Sequence, residues 1–352
     1  SLTASRTSLA SDFLASCTTL QGGARDFALA RFCADGRLDN GVNCGSPGFA
    51  TGGKIITDFG NQEDAAALLL QPDGDLVAAG SARTCPNSDM AVARFNSDGK
   101  LDNSFSGDGK TTVDFSGDWD EATGVVLHPD GNLIVAGYSN VADVNQDFAL
   151  ASLCPDGTLD NGVNCGSPAF GSGGLVTSDL SGSYDRATAV AVQADGKLLA
   201  AGYTSGSSAD FAVVRYCADG MLDDGVNCGN PAFGTAGKTT LDFSGEWDEI
   251  AALRVLPDGK ILVGGYASYE VDTGWDEDFA LAMYQPNGSL YTGFSTDGLE
   301  TVDFGALEEQ GFALALQPGG KFIISGSSGR YLAMARFIYE LPIRLHAPVI
   351  LR

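Results

Sequence analysis

The chain has 352 residues and a formal net charge of −25, because it contains 45 acidic residues and only 20 basic ones. This excess of carboxylates argues against nucleic acid as a partner, since a phosphate backbone is bound by basic groups. No apolar run approaches the roughly 20 residues that a membrane helix needs, so we expect no membrane span. The chain begins at Ser1, and we expect it to be a processed form whose signal peptide has been removed.

One short motif recurs along the chain. Residues 26–32 read DFALARF, and five further copies follow, with their first aromatic residue or methionine at positions 90, 148, 211, 279 and 331. The copies lie 52 to 68 residues apart, and a period of this size predicts a repeat architecture. We divide the chain into an irregular segment 1–25, a repeat array 26–337 and a C-terminal tail 338–352.

Each period contains four predicted strands, which are clearest in the second full period. Residues 110–115 alternate polar with apolar or β-branched side chains, which predicts the first strand. An acidic loop leads to a second strand at 122–127, and a Pro-Asp-Gly turn leads to a third at 133–138. The fourth strand is the next copy of the DFALARF motif, at 147–153.

Four short strands per repeat, joined by hairpins, predict an all-β chain folded as a single β-propeller domain over residues 1–352. The first three strand types occur five times and the fourth occurs six times, so one N-terminal strand lacks its sheet. Because an unpaired edge invites pairing, we expect six four-stranded blades, the sixth built from both termini. Residues 1–32 would supply its later strands and residues 341–352 its first. The alternative is five full blades whose terminal strands are exchanged between chains, as a dimer or filament.

Six of the eight cysteines form pairs eleven residues apart in near-identical text: Cys33 with Cys44, Cys154 with Cys165, and Cys217 with Cys228. Two other repeats lack both members of the pair, so the two cysteines occur together or not at all. We predict three disulfides, and a fourth between Cys17 and Cys85, because zinc sites favour C-x-x-C spacing and His partners. Disulfides predict an oxidising location: secreted, extracellular or on the cell surface.

The repeated text follows the pattern DFALARF, DG-x-LD, FG, GK-x-TTDF and A-x-ALQPDGK-x-x-x-AGY over roughly residues 26–337. This pattern resembles the delta-60 repeat family of bacterial proteins. The resemblance implies a β-propeller-like array in large, secreted or surface-exposed proteins. It implies no enzymatic activity and no catalytic residues, and the cysteine-bearing insertions and both termini depart from it.

The acidic loops between the first and second strands are the candidate site. Their carboxylates form the candidate metal ligands Asp114, Asp118, Asp120, Asp242, Glu246 and Asp248. Ca²⁺ is the candidate cofactor, because it takes six to eight oxygen ligands. The loops lack the complete twelve-residue calcium loop with its closing Glu. The competing interpretation is a solvated turn whose Asp side chains accept hydrogen bonds from local backbone N–H groups.

Three aromatic residues take equivalent positions in these loops: Trp119, Tyr184 and Trp247. Aromatic rings beside carboxylates are typical of a sugar-binding site, and packing between blades is the competing interpretation. The chain has no G-x-S-x-G, no H-E-x-x-H and no phosphate loop, so we assign no catalytic residue and expect a protein that is not an enzyme.

We therefore expect a structural or adhesive module of a bacterial cell-surface or extracellular assembly. It would assemble with itself through its termini or with other surface proteins. The alternative function is a carbohydrate- or ligand-binding propeller that uses the acidic, Trp-bearing loops, with polysaccharide as its partner. A polysaccharide-active enzyme is the third hypothesis, and it rests on fold analogy alone.

Overall fold

The structure is a computed structural model, and it describes residues 25–44, 48–60, 62–84, 87–115, 119–141, 145–165, 168–180, 184–229, 231–243, 245–271, 274–339 and 344–351. Within these ranges the chain forms 22 β-strands and no helix. The described part of the chain accordingly contains no helix that could cross a membrane. The all-β prediction is confirmed.

The chain divides into two compact units. The first contains residues 1–144 and 149–177, and the second contains residues 145–148 and 178–352. The described strands up to the boundary at 177 are β1 (Phe27–Ala30), β2 (Lys54–Thr57), β3 (Gln62–Leu70), β4 (Leu76–Thr84), β5 (Asn87–Phe95), β6 (Lys110–Val113), β7 (Asp120–Leu127), β8 (Leu133–Val141), β9 (Asn145–Leu153) and β10 (Leu175–Ser178). β1 pairs with β2, β3 to β6 form a four-stranded sheet, and β7 to β10 pair in the same order.

The second unit contains the remaining strands in three further sets of four. They are β11 (Tyr184–Val192), β12 (Leu198–Ser205), β13 (Ala209–Tyr216), β14 (Lys238–Leu241), β15 (Asp248–Val255), β16 (Ile261–Val271), β17 (Gly274–Tyr284), β18 (Leu299–Val302), β19 (Glu309–Gln317), β20 (Lys321–Ser328), β21 (Tyr331–Ile338) and β22 (Arg344–Leu351). Each set pairs antiparallel in chain order.

The short GK-x-TT strand belongs to a different sheet from the one that we expected. We predicted that it opens its repeat, whereas β6 pairs antiparallel with the preceding β5, with Met90 opposite Val113. The DFALARF strand is therefore the third strand of its sheet, and the GK-x-TT strand is the fourth. The N-terminal copy of the motif also has a partner, because Phe27 of β1 lies opposite Thr57 of β2.

The C-terminal tail forms β22, which pairs antiparallel with β21 as the fourth strand of the last sheet. It takes the place of a GK-x-TT strand, which the last repeat lacks. We expected the tail to join residues 1–32 in a closing blade. Residues 1–24 lie outside the described ranges, so that closure, its exchange between chains and the count of six blades stay predictions.

The core is built from alternate residues of the strands and from one phenylalanine in each long loop. Val92 and Val135 are fully buried in one cluster of the first unit, together with Phe105. Leu199, Val213 and Phe233 are buried in a cluster of the second unit. Burial of such side chains stabilises the fold by about 1.5–3 kcal/mol each.

A glycine in the second strand of each set of four strands permits a close approach to the first strand of that set. A Cβ atom on Gly137 would lie 1.9 Å from the carbonyl oxygen of Glu121, and one on Gly202 would lie 1.9 Å from that of Arg186. The strand pairing shifts register at the same place, between Ala122 and Gly124 in β7. The resulting bulge is at Thr123, three residues after Asp120, the first residue of the strand.

Candidate functional site

Three carboxylates meet at the same place in consecutive repeats, and we call each group an acidic triad. The first member opens the DFALARF motif, the second follows the GK-x-TT strand, and the third opens the next sheet. One oxygen atom from each member lies within 4.8 Å of the others in three groups: Asp26, Asp58 and Glu63 (triad 1); Asp89, Asp114 and Asp120 (triad 2); Asp147, Asp179 and Asp185 (triad 3).

The next two repeats carry carboxylates at the same sequence positions: Asp210, Asp242 and Asp248 (triad 4); Asp278, Asp303 and Glu309 (triad 5). Their members act on one another electrostatically. Burial raises the pKa of Asp248 to about 7, and the negative charges of Asp242 and Asp210 contribute to the rise. Burial also raises the pKa of Asp278 to about 6, with a contribution from Asp303.

The third member of the triad is the most deeply buried. Asp120, Asp185, Asp248 and Glu309 have no exposed surface. Burial raises the pKa of Asp120 to about 6, and the charges of Asp114 and Asp89 add to this rise. Ionised carboxylates at these positions therefore destabilise one another unless a positive charge is supplied.

One oxygen of this buried carboxylate accepts a hydrogen bond from the backbone of the preceding loop. The N–H of Phe115 donates to Oδ2 of Asp120 over 2.7 Å, and the N–H of Phe243 donates to Oδ2 of Asp248 over 2.7 Å. The Asp120 side chain is also hydrogen-bonded to the side chain of Ser139, and the Asp248 side chain to the backbone of Ser268. In triad 3 the Thr204 hydroxyl donates to Oδ1 of Asp185 over 2.6 Å.

The triads lie where one sheet adjoins the next. The residue before the first member of a triad forms a single parallel β-bridge with the residue before the third member. Ser88 pairs in this way with Trp119 beside triad 2, and Ala209 pairs with Trp247 beside triad 4. Gln146 and Tyr184 pair in the same way beside triad 3. Triads 2 and 4 therefore draw their carboxylates from both sides of a junction between consecutive sheets.

The structure brings together some of the predicted metal ligands and adds one missed residue to each group. Asp114 and Asp120 lie together, but their third partner is Asp89, which opens the motif. Asp242 and Asp248 interact, with Asp210 in the place of Asp89. Asp118 lies outside the described residues, and Glu246 is a half-buried loop residue beside the group. The signal for Asp89 was present in the sequence, because an aspartate opens the first five copies of the motif and none opens the copy at Tyr331.

The three predicted ligand-binding aromatics each immediately precede the third member of a triad. Tyr184 is 54% exposed and Trp247 is 45% exposed. The Trp247 ring lies 5.6 Å from the Tyr203 ring, and the Arg83 guanidinium lies 5.0 Å from the Trp119 ring centroid. Trp119 and Trp247 thus contact neighbouring side chains, and their part in ligand binding stays a prediction.

The three predicted disulfides between cysteines eleven residues apart are present: Cys33–Cys44, Cys154–Cys165 and Cys217–Cys228. Cys17 and Cys85 lie outside the described residues, so their pairing stays a prediction. Each disulfide closes a loop that carries a highly exposed valine: Val42, Val163 or Val226. Disulfides persist in oxidising environments, which supports the location that we expected.

The arginine of the motif connects consecutive repeats. Arg94 donates from Nε to Asp102 over 2.7 Å and from Nη1 to the carbonyl oxygen of Pro155, in the next repeat, over 2.6 Å. Its guanidinium lies 4.8 Å from the Phe105 ring centroid. Arg31 and Arg215 make equivalent contacts with Ser97 and Pro286. Three of these arginines are therefore engaged within the protein.

Four of the repeats match a β-propeller family. The family model is described as a domain of unknown function (DUF5122) beta-propeller, and it matches residues 71–105, 128–162, 193–225 and 256–294. The match agrees with the propeller-like repeats and antiparallel sheets of the structure. It supports a propeller-type repeat family, while the delta-60 name itself stays a prediction. No curated protein matches the chain.

Several solved structures match this chain at low sequence identity. A protein of unknown function from Bacteroides caccae is 14% identical, with a TM-score of 0.40, over 80% of this chain and 78% of its own. Sqt1 from Chaetomium thermophilum is 14% identical, with a TM-score of 0.42, over 82% of this chain and 62% of its own. The β-propeller domain of the Trilobed protease from Pyrococcus furiosus is 11% identical, with a TM-score of 0.33, over 80% and 81%.

Proposed function

We propose that this chain is a non-enzymatic structural module of an extracellular or cell-surface assembly. The observation that carries the proposal is the set of hydrogen bonds made by the arginine that recurs in the motif. Arg94 directs three of its donor nitrogens to Asp102, Ser104 and the Pro155 carbonyl, all within the chain. The arginine of the motif thus connects one repeat rigidly to the next, and a structural module requires such rigidity.

The disulfides support the same role. Each closes a loop between cysteines eleven residues apart. By chain entropy, closing a loop of this size stabilises the folded state by about 3 kcal/mol. Covalent closure of three surface loops is of use to a protein that works outside the cell, where chaperones do not repair it.

The same loops offer contact surfaces to a partner. Val42, Val163 and Val226 are 82%, 82% and 83% exposed at equivalent positions. In each loop an Asn or Asp side chain accepts hydrogen bonds from the backbone N–H groups beside the valine, as Asn40 does for Val42 over 3.0 Å. A single exposed apolar residue is ordinary, but a repeated one on a closed loop suits adhesion to another surface protein or to a second copy.

Location and thiol state in the source cells test this proposal. Intact cells would be treated with a protease and, separately, with a thiol-alkylating polymer under non-reducing conditions, and the chain would be followed by immunoblot. We expect digestion from outside and no alkylation of the cysteines before reduction. A chain that is protected from protease and alkylated without reduction would overturn the proposal. Surface cross-linking would then identify the neighbours.

Carbohydrate binding is the second candidate, and the exposed rings of Tyr184 and Trp247 favour it. Each ring lies one residue before a buried carboxylate, an arrangement that presents a flat apolar face beside polar groups. A glycan array with the wild-type chain and a Tyr184→Ala, Trp247→Ala double variant tests this candidate. Tyr331→Ala is the control, because Tyr331 is also exposed but its repeat has no triad. If the double variant still binds the glycan, these two rings do not form the binding site.

A further inference from the structure

The disulfide-closed loop at 154–165 contains the pair Asn161–Gly162 in a polarised setting. Oδ1 of Asn161 accepts hydrogen bonds from the backbone N–H groups of Val163 and Asn164, over 2.9 and 3.1 Å. The side chain is therefore directed along the chain towards Gly162. Because the two residues are adjacent, a bond between the Cγ atom of Asn161 and the nitrogen of Gly162 closes a small succinimide ring.

The nitrogen of Gly162 also contacts a buried carboxylate. Its N–H donates to Oδ1 of Asp160 over 3.4 Å, and Asp160 is only 3% exposed. Oδ2 of the same carboxylate accepts from Nδ2 of Asn132 over 2.9 Å and from the Ser152 hydroxyl over 3.5 Å. Both of these partners are neutral groups. The Asp160 carboxylate is thus placed to accept the proton of the Gly162 N–H.

The equivalent aspartates of the other two disulfide-closed loops are paired with cations. Asp39 pairs with Arg31 over 2.7 Å, and Asp223 pairs with Lys197 over 2.9 Å and with the arginine of its motif. In the loop at 154–165, Asn132 takes the position of Lys197, and a serine takes the position of the arginine. Of the three loops, this one therefore leaves its buried carboxylate without a cation.

The loop at 217–228 already contains an acidic side chain at the position of the asparagine. Asp224 stands where the loop at 154–165 has Asn161. Oδ1 of Asp224 accepts from the N–H groups of Val226 and Asn227 over 2.8 and 2.9 Å. The hydrogen bonds from Asn227 and Val226 hold the pKa of Asp224 below its usual value. The same two donors therefore accommodate a carboxylate at this position.

We propose that Asn161 modifies itself in the folded protein and becomes an aspartyl or isoaspartyl residue. The nitrogen of Gly162 attacks Cγ of Asn161, and Asp160 accepts the proton from the attacking N–H. The N–H groups of Val163 and Asn164 stabilise the negative charge that develops on Oδ1, as in an oxyanion hole. The bond from Cγ to the side-chain nitrogen breaks, and ammonia leaves with the proton that Asp160 returns. Water then opens the succinimide ring.

The conversion adds one negative charge to a loop that also carries an exposed valine. Its chemistry lies wholly within the loop at 154–165 and the side chains that contact it. The inference therefore goes beyond the proposed function, and it holds whichever partner the protein binds.

Peptide mapping by mass spectrometry tests the proposal, because the chain contains two further Asn–Gly pairs as internal comparisons. Asn40 is preceded by Asp39, which is paired with a cation, and Asn287 is preceded by Pro286. The oxidised full chain, and a reduced chain unfolded in guanidinium chloride, would be incubated at neutral pH. In the folded chain we expect Asn161 to convert about tenfold faster, or more, than Asn40 and Asn287, and faster than in the unfolded chain.

Two variants test the part played by the carboxylate. Asp160→Asn removes the base and keeps an oxygen that can accept from Asn132, and we expect it to slow the conversion of Asn161 by about a hundredfold. Asn132→Lys supplies the cation that Lys197 provides in the equivalent loop, and we expect it to slow the conversion to the rate of Asn40. The second variant has a counterpart within the chain, so it covers the case in which Asp160→Asn does not fold.

Asp156→Ala is the control, because it removes an exposed carboxylate from the same loop, and we expect the wild-type rate. Circular dichroism and an intact Cys154–Cys165 disulfide would verify the folding of each variant. If Asn161 converts no faster in the folded chain than in the unfolded one, the proposal is overturned. It is also overturned if folded Asp160→Asn or Asn132→Lys protein converts as fast as the wild type.

Discussion

Arg94 donates a hydrogen bond from Nη1 to the carbonyl oxygen of Pro155, 61 residues further along the chain, over 2.6 Å. The same guanidinium forms an ion pair with Asp102, and both side chains are largely buried. Two repeats are thereby connected by a charged group that holds a turn of the second repeat in place.

Replacing this arginine should destabilise the protein substantially. We expect Arg94→Met to lower the free energy of unfolding by about 3 kcal/mol, because it leaves the Asp102 carboxylate without its partner. Denaturation in urea measures the change. Arg37→Met is the matched control, since Arg37 pairs with Asp35 on the exposed surface, and we expect no measurable effect. Equal stability of both variants would contradict a structural role for Arg94.

The close approach at Gly202 gives a second prediction. A methyl group there would lie 1.9 Å from the Arg186 carbonyl oxygen, so Gly202→Ala must displace backbone atoms. We expect the free energy of unfolding to fall by about 1–3 kcal/mol or more. Gly206→Ala in the same hairpin is the control, because a Cβ atom there meets nothing within 4 Å. A thermal melt of the two variants compares them, and a Gly202→Ala protein as stable as Gly206→Ala would contradict the packing argument.

Loss of one disulfide should cost stability without changing the fold. We expect Cys154→Ser with Cys165→Ser to lower the free energy of unfolding by about 3 kcal/mol, chiefly because the unfolded chain gains freedom. Two repeats already have Asn96 and Gln285 at the first cysteine position, so the sheet itself tolerates the change. Denaturation with and without reductant provides the check. The variant should lose less stability on reduction than the wild type, and an equal loss would count against this disulfide.

Removal of the tail should expose a sheet edge. β22 covers β21 along its length, with Leu332 opposite Leu351 and Ile338 opposite Arg344. A chain that ends at residue 340 leaves the hydrogen-bonding groups of β21 open to another chain. We expect association that increases with concentration, measured by size exclusion with light scattering against the full chain. If the molecular mass of the truncated chain does not rise with concentration, β22 does not protect this edge.

The spacing of residues in the sequence was sufficient to predict the local features of the structure. The repeat period, the strand types and the three disulfides between cysteines eleven residues apart all follow from patterns within one repeat. A pair such as Cys154 and Cys165 is near in the chain, so its two members meet in almost any compact arrangement of the loop. Alternation of side chains likewise identified β6 as a strand.

Only the tertiary structure decided which strands share a sheet and which carboxylates meet. Alternation identifies a strand but not its partner, and so the GK-x-TT strand was assigned to the wrong side of the sheet boundary. Asp89 and Asp120 belong to neighbouring sheets, and their approach depends on the junction between those sheets. Lys110 likewise lies far from Asp58 in the chain, and only the arrangement of the sheets brings its Nζ to the Asp58 carbonyl oxygen.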